Sequence, residues 1–193
     1  TLLVLASGLV LIWSVSLYGL ANHDIIYLLA LVPRTSDGLL GILTMPFVHG
    51  ALTHLSVNTS VYVVMTPLVL LRSLSYYVYA TLLILLLSGS ALWIIGRDGA
   101  HIGASALIFG YFGLLATRGL FERRFWSILL SLVIAGFYAG LLWGIVPGDG
   151  GVSTEGHLAG LLAGIATASW AGCASTTRHA IQREADYVTA DSK

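Results

Sequence analysis

Charge is what this sequence has least of. Nine Lys and Arg and nine Asp and Glu among 193 residues leave 9% of positions charged and a net charge of zero. That removes any electrostatic case for nucleic acid, because a phosphate backbone is met by a basic face. Cysteine is nearly absent as well: Cys173 stands alone, which excludes an intrachain disulfide. No low-complexity segment and no convincing internal repeat is present. The chain also lacks an initiating methionine and opens at Thr1 inside an apolar run, so its natural N-terminus is expected upstream. A signal peptide fits poorly, for want of a basic n-region and a small-residue cleavage site.

What is there instead is hydrocarbon. A chain with 57% hydrophobic residues and a mean hydropathy of +0.89 describes a polytopic membrane protein rather than a soluble domain. A bilayer core of about 30 Å takes about 20 apolar residues in a helix. Six such runs are found, near residues 1–20, 51–71, 75–95, 103–117, 126–146 and 156–173. The expected fold is all-α, a six-transmembrane-helix bundle over 1–173. A polar cytoplasmic tail over 174–193, with Arg178, Arg183, Glu184 and Asp186, reads as a short solvated helix or a disordered segment without function.

Orientation follows from the retention of Lys and Arg on the cytoplasmic side. With six spans, the 2-3 loop, the 4-5 loop and the tail share one side and hold Arg72, Arg118, Arg123, Arg124, Arg178, Arg183 and Lys193, against Arg34 and Arg97 on the other. Both termini are therefore expected inside, in the plasma membrane. Trp93, Trp126, Trp143 and Trp170 fall near span ends, where indoles prefer the interface. Of the outer loops, 21–50 contains "GLLGILTMPFVHG", too apolar for a freely solvated loop and expected to dip against the bundle. The Gly-rich "PGDGGVSTEG" reads as a mobile cap.

The polar residues inside this hydrocarbon are few and lie on one side. His54 and Asn58, at i, i+4 on one helix face, open the second span; Ser105 opens the fourth, in "HIGASALIFGYFG"; His157 opens the sixth. Even-numbered spans all begin at the outer leaflet, which places the four at one depth. Each alone has a plainer reading. A serine in a transmembrane helix usually bonds back to a carbonyl one turn earlier, and a histidine near a span end is more often interfacial or packing. The conjunction argues otherwise, because ionisable groups inside a membrane are costly and mark function. His49 precedes the second span and reads more weakly, as a loop-orienting residue.

Small residues supply a reason for proximity. Gly160 and Gly164 follow His157 at GxxxG spacing, and Gly103, Ala106, Gly110 and Gly113 line the fourth span. Such faces admit close backbone approach, although GxxxG also marks packing alone. Serine chemistry needs a base and donors for an oxyanion. His157 can supply the first. The Ser105 N–H at a helix start, with Gly103 nearby and the Asn58 and His54 side chains, can supply the second. No carboxylate lies inside spans two, four or six, and Asp98 and Glu155 read as solvated loop residues, so a Ser-His dyad is expected rather than a triad. Phe109, four residues after Ser105, is placed to pack on the imidazole, or else is an ordinary core or lipid-facing ring.

Taken together, "HGALTHLSVN", "GASA" and "GHLAGLLAG", in order along the six runs, resemble the rhomboid family of intramembrane serine proteases. The resemblance implies hydrolysis of a peptide bond in or beside the transmembrane helix of a membrane-protein substrate in the lipid bilayer, with Ser105 as nucleophile and His157 as base. It implies oxyanion positions at His54 and Asn58, an outer motif histidine at His49, and a water-filled cavity capped by residues 147–155. Lateral substrate entry near spans two and five is implied too, and neither cofactor nor metal. The chain departs from the pattern at Ala106, where a glycine is usual, and at Phe109, where a tyrosine is usual. The Trp-Arg pair of the first loop and an acidic residue near the inner end of span two are not found, Leu70 and Arg72 lying there instead. Two rival functions differ in class: a non-proteolytic rhomboid-like protein that binds membrane clients, which loss of a dyad residue would favour, and a transporter or metal site of His49, His54, His157 and Asn58, which lacks acidic or thiol ligands and transporter-repeat symmetry.

Overall fold

Uncharged apolar runs with no internal proline become the longest exposed helices. The computed structural model of the chain describes residues 2–146 and 152–191, with backbone alone from 173 onward. Helix α1 is Leu2–Ala21 and α5 is Leu74–Ile95, about 30 and about 33 Å long at 1.5 Å per residue, enough for a bilayer core. Phe125–Tyr138 forms α7 and tightens into a 3-10 run over Ala139–Ile145. These three pieces are long and apolar enough to cross a membrane. Leu74, Leu82 and Leu86 of α5 and Trp126, Leu132 and Phe137 of α7 are exposed, an arrangement that water would penalise and lipid does not.

The remaining long helices carry the polar and small residues. Helix α4 is Leu52–Leu70, α6 is Ser105–Glu122 and α8 is Thr154–Asp191. Between α1 and α4 lie the short helices α2, His23–Leu29, and α3, Gly41–Thr44, with 3-10 turns at Asp37–Leu39 and Met45–Phe47. The stretch Asp37–Phe47 meets α4 at a bend of 69° and makes with it a fourth candidate span. So the apolar segment in 21–50 is helical, folded back against the bundle: Ile42 sits against Gly89 of α5. Among the described residues, three to four spans pass on length and composition, against the six apolar runs of the sequence.

Helix α6 is the hub. It packs on α8, α7, α4 and α5, and every residue from Ala106 to Leu115 is buried, the pattern of a helix surrounded by protein. Its seam with α8 is made by glycine. A Cβ at Gly160 would overlap the Ala106 carbonyl oxygen, one at Gly164 the Gly110 oxygen, and one at Gly113 the Leu161 oxygen. Each helix thus presses small residues onto the other's backbone, as the spacing suggested.

Several boundaries shift. Helix α6 runs to Glu122 and stops at Arg123, which takes the left-handed conformation with its N–H on the Gly119 carbonyl, a C-terminal cap. The 4-5 loop shrinks to Arg123 and Arg124, and Arg118 belongs to the helix. Helix α8 does not end near 173 but runs unbroken to Asp191, in place of a short separate helix or a disordered tail; no Gly or Pro lies between Cys173 and Asp191 to stop it. Residues 147–151 of the expected cap lie outside the described residues, as do the side chains of the tail.

Candidate active site

The N-terminus of α6 is assembled before the helix begins. Gly103 has φ +105°, and a Cβ there would sit 2.6 Å from His54 Cε1, so both backbone conformation and space call for glycine. The Gly103 N–H donates to the Met45 carbonyl at 2.9 Å and the Ala104 N–H to His49 Nε2 at 3.3 Å. Ser105 is the first helical residue, half-buried. Thr59, Thr81, Ser88, Thr117 and Thr167 each donate to the carbonyl four residues back. Ser105 has no helical turn before it to offer one, and among the described residues its hydroxyl makes no hydrogen bond.

On one side stand His49, His54 and Asn58. His49 is fully buried, and its proton inventory closes. Nε2 accepts from Asn58 Nδ2 at 2.9 Å and from the Ala104 N–H, so the ring hydrogen is on Nδ1. It donates to Ser16 Oγ at 2.9 Å, and Ser16 donates to the Phe47 carbonyl at 2.9 Å. Neither ring nitrogen is left for a metal. One Asn58 amide hydrogen is used by His49, and a second remains. His54, half-buried, stands edge-on to His49 with centroids 4.9 Å apart.

On the other side is His157, in the first turn of α8 and buried. Its Nδ1 lies 2.8 Å from the Gly144 carbonyl oxygen, which can only accept, so Nδ1 carries the hydrogen and Nε2 the lone pair. The ring is stacked on Phe109, 4.2 Å between centroids and 11° between planes. Phe109 is therefore the packing partner of the imidazole, one turn along from Ser105. The partner that orients His157 is a backbone carbonyl. Asp98 is solvated and paired with Arg34. Glu155 is not a loop residue: it lies in the first turn of α8, 4.0 Å from Arg97 Nε.

The structure thus brings Ser105, His54, Asn58, His49 and Gly103 together around the start of α6, and His157, Phe109 and Gly144 beside it, with Gly160 and Gly164 holding the two helices at backbone distance. Sequence reasoning missed Ser16, Gly144, His101 and Ser153. Ser16 lies in a helix with no motif, and a carbonyl partner such as Gly144 leaves no trace in side-chain types. His101 had a signal: it is four residues before Ser105.

The Rhomboid domain family model matches residues 36–173. An uncharacterized protein of Mycobacterium tuberculosis is 42% identical over 145 residues, 70% of this chain and 60% of the relative. An uncharacterized protein of Mycobacterium bovis gives the same figures, and one of Mycobacterium leprae is 39% identical over 142 residues, 69% of this chain and 56% of the relative. The chain spans about three fifths of the length of the curated relatives it matches. The chain belongs to the rhomboid family. It is an integral membrane protein of a family that includes intramembrane serine proteases.

Proposed function

We propose that this chain is an intramembrane serine endopeptidase that hydrolyses a peptide bond in or next to the transmembrane helix of a membrane-protein substrate. Ser105 Oγ attacks the scissile carbonyl carbon and its proton passes to His157 Nε2. The oxyanion is held by the Ser105 N–H, the second Asn58 amide hydrogen and His54. His157 then gives its proton to the leaving amine, and water, deprotonated by the same nitrogen, hydrolyses the acyl-enzyme. The observation that carries the reading is the proton placement at His157. The Gly144 carbonyl binds Nδ1–H at 2.8 Å and Phe109, one helical turn from Ser105, holds the ring plane, which leaves Nε2 as the base. On this reading the six helices α1, α4, α5, α6, α7 and α8 all span, over 1–173. Both termini are cytoplasmic, residues 174–193 form a cytoplasmic extension, and the site opens toward the outer face of the plasma membrane.

The decisive experiment incubates purified protein with a single-span model substrate. Ser105→Ala should abolish cleavage while leaving the fold intact, and a fluorophosphonate probe should label Ser105 only when His157 is present. Undiminished cleavage by Ser105→Ala sinks the proposal. Lack of cleavage by the wild-type protein toward any membrane substrate, with the fold intact, would favour a client-binding role. For the topology, in a Cys173→Ser background, Asp98→Cys should react with an impermeant thiol reagent in intact cells and Leu71→Cys should not. The reverse pattern inverts the orientation.

A further inference from the structure

One histidine–serine hydrogen bond near α6 has no part in the chemistry above. His101, on the approach to α6, is 5% exposed. Its backbone is clamped by an antiparallel bridge to Leu31, His101 N–H to Leu31 O at 2.8 Å and Leu31 N–H to His101 O at 3.0 Å. Both ring nitrogens are engaged. Nε2 lies 2.9 Å from the Arg97 carbonyl oxygen, which only accepts, so the hydrogen is on Nε2 and Nδ1 holds the lone pair. Nδ1 lies 2.7 Å from Ser153 Oγ, so the serine hydroxyl donates to it. The same oxygen accepts the Gly156 N–H at 3.2 Å, and the Ser153 carbonyl accepts the His157 N–H at 3.0 Å. Ser153 is the residue before α8, in the N-cap position. Arg97 adds a second strand to the clasp, donating to the Val152 carbonyl.

We propose that His101 is a positioning residue for His157, acting through Ser153; the proposal rests on the reading of His157 as the base. The segment that ends in the nucleophile thereby grips the first turn of the helix that carries the base. His101 and Ser105 are four residues apart, and Ser153 and His157 are four residues apart, so one hydrogen bond between the first members of each pair sets the spacing of the second members. The Gly144 carbonyl and Phe109 set the ring of His157, while the clasp sets its backbone. Without the clasp the first turn of α8 keeps the ring contacts of His157, the Arg97–Glu155 pair and the glycine seam further along, none of which fixes the Ser153 end of the helix. A displacement of about 1 Å in a catalytic group costs up to about 10²-fold in rate.

The test compares wild type, His101→Ala, His101→Asn, Ser153→Ala and the double variant His101→Ala/Ser153→Ala in detergent, after confirming equal melting temperatures. Measured are the rate of fluorophosphonate labelling at Ser105, kcat and KM on a single-span substrate, and amide hydrogen exchange over 152–158. His101→Ala and Ser153→Ala should each slow labelling about tenfold, lower kcat with KM little changed, and speed exchange. The double variant should be no worse than the poorer single, because both remove one contact. Asn places an acceptor where Nδ1 was, so His101→Asn should recover labelling to within about threefold of wild type. If His101→Ala fails to fold, Ser153→Ala at its half-buried site decides alone. Labelling of Ser153→Ala at the wild-type rate, additive loss in the double variant, or His101→Asn as slow as His101→Ala overturns the proposal while the protease reading stands. Unlabelled wild type overturns both.

Discussion

The seam between α6 and α8 and the C-terminal half of α7 are both supplied with glycine, and the glycines have opposite surroundings. Along the seam, Gly160, Gly164 and Gly113 each lie against a carbonyl of the facing helix, with no room for a methyl group. On α7 and the 3-10 run after it, a Cβ added at Gly136 or Gly140 meets nothing within 4 Å, and Phe137 between them is 83% exposed. The N-terminal half of α7 differs again. Ser131 Oγ accepts the Gly119 N–H at 2.8 Å and donates to the Leu115 carbonyl at 2.7 Å, placing itself between an i, i−4 pair of α6. Ser127 donates to Glu122, and a Cβ at Gly119 would lie 2.6 Å from Ile128 Cα. Small residues in a membrane helix therefore signal packing only where a backbone lies across from them. Helix α7 is stitched at its N-terminal end, while its glycine face toward Gly144, the carbonyl that orients His157, is open.

The largest effect should come from filling the seam. Gly164→Leu puts a side chain where the Gly110 carbonyl stands, with Leu114 N 2.8 Å from the added Cβ, and no rotamer avoids backbone. Loss of the folded monomer by size exclusion in detergent is expected, and a folded, labelled Gly164→Leu protein would break the comparison at its tight end. Next comes the stitch at the N-terminal end of α7, where Ser127 donates to Glu122 and Arg118 and Arg72 pair with the same carboxylate. Glu122→Gln should lower the melting temperature in detergent, because it removes the charge that both guanidiniums meet; an unchanged melting temperature would remove Glu122 from the stitch.

Ser131→Ala should cost about 1 kcal/mol. The loss is modest because the Gly119 N–H and the Leu115 carbonyl, freed together, are a natural helical pair. A denaturation difference above about 3 kcal/mol, the upper end for stranding a buried polar group, would mean that the ladder cannot close. The smallest effect, and the one of opposite sign, belongs to Gly136→Ala, which should stabilise by about 0.5–1 kcal/mol, since open space leaves only the helix-propensity term. Destabilisation there would show that the Gly136 face of α7 packs on something after all.

Much of this molecule is legible in its sequence. The six apolar runs coincide with six long helices, and Ser105, His54, Asn58 and His157 fall in the opening turns of α6, α4 and α8 as their positions in those runs required. Helix periodicity and run length are local properties, and residues four apart share a face wherever the helix goes. GxxxG spacing likewise announced the α6–α8 seam, because close approach needs small residues whatever the partner.

What the tertiary structure alone decided is which groups answer one another across the bundle. Ser16 reaches His49 across 33 positions of sequence and His101 reaches Ser153 across 52, while Gly144 answers His157 with a carbonyl that every residue type carries. Arg72, just past the end of α4, pairs with Glu122 at the end of α6. Such pairings depend on the rotation and depth at which helices meet. Those are set by the summed contacts of apolar side chains, which are individually small, without direction, and so leave no signature at any one position.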